Sequence, residues 1–188
     1  MLKTQHRLAA ALVDLILAQG FETLTVRELT ERAAVGYATF FRHFASKEAL
    51  LAKVLEDTLT DLTRALGPHI APETEAFSPL EACVTVFEHA RANADTYRAL
   101  LRTGDVTDLT ERCLALSRIM LVATFSPRQE SVVPFEVAVH HLVNGFIGLV
   151  AWYLEADMPH APERMGEMVE RLILEPVYRV ALEPKRSV

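Results

Sequence analysis

The sequence predicts an all-α protein, and three observations carry that reading. Apolar residues return at helical spacing through nearly every segment, and no stretch alternates apolar and polar residues as a half-buried strand would. Two capping boxes, Thr25 with Glu28 and Ser78 with Glu81, mark helix starts. Only 7 of the 188 residues are glycine and 51% are hydrophobic, so most of the chain can order around one generous core or two modest ones.

The elements follow in order. Leu8, Leu12, Leu15 and Ile16 share one face of a first helix, which Gly20 ends as a C-terminal cap. Thr25 opens a short second helix reaching about Ala33, its hydroxyl accepting from a free backbone N–H while Glu28 reaches back. After "AVG" a third helix runs from about Tyr37 to His43. Ser46 caps a longer connecting helix over 46–66, with Leu50, Leu51, Val54, Leu55, Leu59 and Leu62 on its buried side; Gly67 and Pro68 are expected to stop it. Residues 68–77, "PHIAPETEAF", read as a surface loop. Ser78, Pro79 and Glu81 then restart a helix, proline standing at its first position. Helices are expected at about 79–92, 95–102, 107–125, 134–155 and 162–175, separated by "TGD", "SPRQES" and "DMPHAP". Pro176 falls inside the last apolar pattern and should end or kink that helix. The expected organisation is a three-helix head at 1–48 and a larger bundle at 49–188.

Several function classes are disfavoured. No uninterrupted apolar run approaches the roughly 18 residues a membrane span needs, and the N-terminus lacks a signal-peptide cleavage pattern, which points to the cytoplasm and no membrane partner. Cys83 and Cys113 show no metal or redox spacing and read as small buried apolar residues. His140 and His141 point about 100° apart on a helix and have no partner at ligand spacing, so no metal or cofactor is expected. GxSxG, Walker A, GxGxxG and HExxH patterns are absent, which disfavours an enzyme.

The net charge of −6 argues against a nucleic-acid partner, but its distribution does not. Residues 1–53 hold Lys3, Arg7, Arg27, Arg32, Arg42, Lys47 and Lys53 against Asp14, Glu22, Glu28, Glu31 and Glu48, a net of +2, and the remainder carries −8. Phosphate contacts need local cations rather than a positive total. The stretch "VGYATFFRHFASKEAL" interleaves aromatic residues with Arg42, His43 and Lys47. Two short helices joined by a tight turn, the second cationic and aromatic, match a helix-turn-helix whose second helix enters the DNA major groove. Phe40 and Phe44, four apart, suit the head's core, while Tyr37, Thr39 and His43 fall toward other sides. Arg42 reads equally as solvated or phosphate-facing.

"QGFETLTV", the "xxAxV" turn and "TFFRHFASKEAL" together resemble the N-terminal DNA-binding domain of the tetracycline-repressor (TetR) family over residues 8–55. The resemblance implies contacts to double-stranded operator DNA from Thr25, Arg27, Tyr37, Ala38, Thr39, Phe41, His43 and Lys47. Three residues depart from the family pattern. Phe41 replaces a tyrosine whose hydroxyl would reach phosphate, Ala34 replaces the turn's glycine, and Thr30 replaces a small alanine at the helix crossing.

The resemblance also implies a homodimeric regulator, most simply a repressor released from a palindromic operator by a small-molecule effector. The rival reading is a helical small-molecule-binding or interaction protein that does not read DNA. The helices at 134–155 and 162–175 offer the dimer surface, through Val139, Leu142, Val143, Phe146, Leu149, Val150, Met168, Leu172 and Ile173, with Gly145 and Gly148 permitting close approach; simple burial of these residues inside the monomer is the competing reading. An apolar effector pocket with a few polar anchors is expected from Phe87, Tyr97, Leu101, Met120, Phe125, His141, Asn144 and Trp152.

Overall fold

A computed structural model describes residues 2–70, 78–103 and 106–185. In chain order the elements are α1 (Leu2–Gln19), α2 (Val26–Ala33), α3 (Tyr37–His43), α4 (Lys47–Ile70), α5 (Pro79–Ala92), α6 (Ala94–Leu101), α7 (Val106–Thr124), β1 (Phe125–Pro127), α8 (Phe135–Glu155), α9 (Pro162–Val169), a π-helical segment (Glu170–Leu174), α10 (Glu175–Val180) and β2 (Leu182–Pro184). The fold is all-α apart from one antiparallel pair of three-residue strands, in which Ser126 stands opposite Glu183. Strands that short leave no alternation to read. Residues 71–77 of the expected surface loop lie outside the described residues.

Two prolines bear on helix ends, and Pro68 departs from expectation. Pro68 does not stop α4, which continues to Ile70. In a helix's last turn its missing N–H removes a single bond, and the carbonyls there lack intrahelical partners anyway. Pro176 was expected to end or kink the last helix, and regular α-helix is interrupted just before it. The preceding residues widen into the π segment, where the Glu175 N–H donates to the Glu170 carbonyl, and the chain resumes as α10. A π-bulge is one of the few ways a helix absorbs a register fault.

The chain divides into two compact units, Met1–Thr60 with Asn93–Val106, and Asp61–Ala92 with Thr107–Val188. In the first, Leu8, Leu12 and Ile16 of α1, Leu29 of α2, Phe40 of α3, Phe44 just after it and Leu50 of α4 are all buried and make up the core. Gly20, at φ +84°, closes α1 by donating its N–H to the Ile16 carbonyl at 2.9 Å. A left-handed residue there suits glycine. At the end of α2 the same conformation falls on Ala34, φ 49° and ψ 48°. That costs an alanine about 1 kcal/mol, and the Arg7 guanidinium, donating to the Ala34 carbonyl at 2.6 Å, helps hold it. Thr30, buried at the helix crossing, donates back to the Arg27 carbonyl at 2.9 Å. Its hydroxyl is thereby satisfied in its own helix. The same unit includes α6, whose end is tied to α1 by Arg102 donating to the Leu17 carbonyl at 3.3 Å.

In the second unit α5 crosses α9 at Gly166, and α8 meets the π segment at Gly145, where the Ile173 side chain occupies the space a Cβ would fill. Phe87 meets Tyr153 edge-on with centroids 5.4 Å apart, and Phe125 stacks on Tyr178 at 5.0 Å. By length and composition α8 is apolar enough to cross a membrane. Here its Ala138, Val139, Leu142, Val143, Val150, Tyr153 and Leu154 are buried in the unit's core. Burial pushes the Cys83 thiol up to about 12 and the Cys113 thiol up to about 11. Both are held as inert thiols at neutral pH.

Candidate nucleic-acid interface

The helix-turn-helix is built from local signals. Thr25 accepts from the Glu28 N–H at 3.3 Å, while its own N–H and hydroxyl donate to Glu28 Oε2 at 2.8 and 2.7 Å. The Thr25 hydroxyl, then its N–H, lowers the Glu28 carboxyl from its ordinary range. The capping box therefore forms as the sequence predicts, with one consequence for the expected contacts. The Thr25 hydroxyl proton is already engaged, so a phosphate approaching this end meets the first-turn amides of α2 in preference to that side chain.

The third helix spans seven residues, Tyr37–His43, about 10 Å at 1.5 Å per residue. Phe40 is fully buried and Phe44 nearly so, and they turn the helix's other side outward. Tyr37, Ala38, Phe41 and Arg42 are exposed there, with Thr39 and His43 partly so. Tyr37 and Phe41 meet edge-on at 5.1 Å. The Phe41 ring, 46% exposed, offers an apolar surface in place of a hydroxyl donor. His43 Nδ1 is buried without a hydrogen-bond partner within the protein. Between α2 and α3 lies a groove of about 510 Å³ lined by Arg27, Thr30, Glu31, Ala34, Val35, Gly36 and Tyr37.

The head's cations are less available than their number suggests. Arg27 pairs with Glu31 at 3.0 Å, Arg32 with Asp14 at 2.7 Å, and Lys53 with Asp57 at 2.7 Å. These exposed pairs are weak enough for a phosphate to displace. Lys47, expected at a phosphate, instead donates to the carbonyls of Phe21, Glu22 and Leu24 at 2.9, 3.2 and 2.9 Å. An ammonium has three protons, and all three are used. Arg42 is the residue that sequence reasoning left undecided. Its guanidinium donates to Thr39 Oγ1 at 2.9 Å, a neutral partner, on the exposed side of α3. Glu31, a wall of the groove, was missed altogether; its i,i+4 spacing from Arg27 was the available signal.

The other two expected sites come apart. Val139, Leu142, Val143, Val150 and Ile173 are buried within the second unit and offer little surface to a partner. Phe146, Leu149 and Met168 are half-buried, and Leu172 is exposed. Of the expected pocket, Phe87 and Phe125 are core residues, and Tyr97 and Leu101 lie on α6 in the first unit. The Met120 side chain is outside the described residues. His141, Asn144 and Trp152 face outward along α8. With Val137 and Gly148 they form an exposed stripe at helical spacing, and nothing lies within 4 Å of where a Gly148 Cβ would stand.

Comparison with known proteins supports the same architecture. Residues 8–54 match the family described as bacterial regulatory proteins, tetR family, and residues 78–175 one described as transcriptional regulator C-terminal region. The HTH-type transcriptional repressor Rv3405c of Mycobacterium tuberculosis is 29% identical over 158 residues, 84% of this chain and 76% of that protein. An uncharacterized HTH-type transcriptional regulator of Bacillus subtilis, YxbF, is 20% identical over 97% of this chain, which spans only 47% of the YxbF length. The structure of the fatty acid degradation regulator FadR from Bacillus halodurans superposes with a TM-score of 0.67 at 15% identity, covering 91% of this chain and 94% of that one. At that identity the likeness concerns the fold.

Proposed function

Because the chain belongs to the TetR family of bacterial regulatory proteins, we propose that it is a cytoplasmic, homodimeric transcriptional repressor that reads an inverted-repeat operator and is released by a small molecule. The observation that carries DNA reading is α3, anchored by Phe40 and Phe44 while Tyr37, Ala38, Thr39, Phe41 and Arg42 stand outward on the other side. Tyr37, at the leading end, is placed for base edges, and Arg42, Thr39 and His43 for phosphates. Arg27 joins them by exchanging Glu31 for a phosphate. The effector belongs to the second unit, with Phe87 and Phe125 the members of the expected set that are buried in its interior. Binding there releases DNA by favouring a head separation that the operator cannot match.

One such helix reads too few bases, so two heads must act on half-sites about 34–36 Å apart or multiples of that. The exposed α8 stripe of Val137, His141, Asn144, Gly148 and Trp152, with Leu172 of the adjoining π segment, is the proposed dimer face. A flat glycine beside a large aromatic suits close helix approach. Trp152→Glu is expected to weaken the dimer by about 2 kcal/mol or more, roughly thirtyfold, as measured by sedimentation equilibrium. A dimer unmoved by it would place the interface elsewhere.

Selection of bound duplexes from a random pool tests the whole reading. Recovery of an inverted repeat supports it; a monomeric protein, or no enrichment at modest ionic strength, defeats it. On the recovered site, Arg42→Ala is expected to weaken all sequences alike and flatten the salt dependence by about one unit of slope. Tyr37→Ala should instead relax discrimination by about 1–3 kcal/mol at its base position. Interchanged outcomes would reverse the two assignments.

A further inference from the structure

We propose that Lys47 is a positioning residue for DNA recognition: its ammonium staples the start of α4 to the α1–α2 turn and thereby sets α2, the helix that supports α3. This rests on the DNA-reading proposal above but makes a claim about the free protein as well.

Lys47 is the first residue of α4. A cation there opposes the helix dipole, so some other interaction must hold it. Its Nζ sits among the carbonyl oxygens of Phe21, Glu22 and Leu24 at 2.9, 3.2 and 2.9 Å, and 4.6 Å from the centre of the Phe21 ring. The carbonyls belong to the segment between Gly20, which closes α1, and Thr25, which caps α2. Remove the ammonium and the Glu22 and Leu24 carbonyls lose this donor, while the Phe21 carbonyl keeps only the 3.3 Å bond from the Leu24 N–H; three converging oxygens no longer bridged by a cation repel one another and loosen the turn. The next residue after that cluster is the α2 N-cap itself. Loosening the turn therefore frees the end of α2 and, through the Leu29 and Phe40 core, the angle at which α3 is presented.

A phosphate contact and a staple make opposite predictions about salt. Losing a phosphate contact lowers the slope of log affinity against log salt by about 0.9. Losing a staple lowers affinity at every salt concentration and leaves the slope alone. The test uses the full-length protein with Lys47→Met, which keeps the aliphatic stem against Phe21, and Lys47→Arg, which restores a cationic donor.

In the DNA-free protein, Lys47→Met should speed amide hydrogen exchange across residues 21–26 by about tenfold or more, leave α5 and α8 unchanged, and be largely reversed by arginine. On the inverted-repeat duplex recovered by selection, it should weaken binding about tenfold with the wild-type salt slope. Unchanged exchange in the turn, or a slope lowered by about 0.9, overturns the proposal. If the wild-type protein enriches no DNA, the repressor reading fails while the exchange measurement still decides the staple.

Discussion

Phe40→Ala is expected to abolish operator binding by unfolding the first unit, with a loss of stability of about 3–5 kcal/mol. Phe40 is 0% exposed, and its ring meets those of Phe41 and Phe44 at 5.1 and 6.0 Å. A helix of seven residues is too short to persist by its own hydrogen bonds, because the nucleation cost is spread over too few of them. What holds α3 is therefore its buried face, and Phe40 is the largest part of that face. Truncating it removes a ring from a core made of only a few large side chains, including Leu8, Leu12, Ile16, Leu29 and Leu50.

Chemical denaturation and hydrogen exchange should show the loss confined to the first unit, the α5 and α8 amides keeping their protection. Phe41→Ala is the internal control. Its ring is half exposed and should change stability by no more than about 0.5 kcal/mol. Equal destabilisation by the two substitutions would mean that the buried and outward faces of α3 have been misassigned.

That Phe40 faces in was legible in the sequence, since the Phe40–Phe44 spacing fixes a face and the Thr25–Glu28 box fixes where α2 begins, while an outward Phe41 came from the family resemblance. The spacing and the box are signals between residues at most four apart. Lys47 was not legible in this way. Its three acceptors lie 23 to 26 residues away, and nothing near it announces them. The family resemblance implied a DNA contact for it, and a lysine beside a recognition helix is chemically suited to a phosphate.

The α8 assignments exchanged places for a different reason. With apolar residues around most of its circumference, periodicity cannot tell which side is buried. Val139, Leu142, Val143 and Val150 were expected at a partner and are buried; His141, Asn144 and Trp152 were expected in a pocket and are exposed. Two polar residues on one stripe of an apolar helix were the usable hint. Pro176 illustrates the converse, a strong local breaker absorbed by a π segment that only the surrounding packing makes worthwhile.

Gly166→Val should be the most damaging change in the second unit. A Cβ built at Gly166 would lie 2.5 Å from Val84 Cγ2, 3.0 Å from its backbone N and 3.2 Å from its Cα. The first contact can be relieved by rotating a side chain, but the other two are to the backbone of α5 and require the helices to separate. Overpacking typically costs about 1–3 kcal/mol, and a backbone collision places this substitution at or above the top of that range.

The consequences spread because the α5–α9 crossing carries the core around Cys83, Phe87, Met165 and Val169, all buried. Gly166→Ala already adds the colliding Cβ and should fall between wild type and valine, so the pair forms a graded series in denaturation midpoint. Val84→Ala in the Gly166→Ala background is expected to recover part of the loss, since it removes Cγ2 while leaving the backbone contacts in place. Recovery of all of it would show that only the side-chain contact matters and that the helices approach less closely than 3.2 Å between Gly166 Cβ and Val84 Cα implies. No recovery would place the strain entirely on the backbone. In either case the residues proposed to read DNA lie in the first unit and are untouched, so a surviving fold is expected to bind DNA with wild-type discrimination.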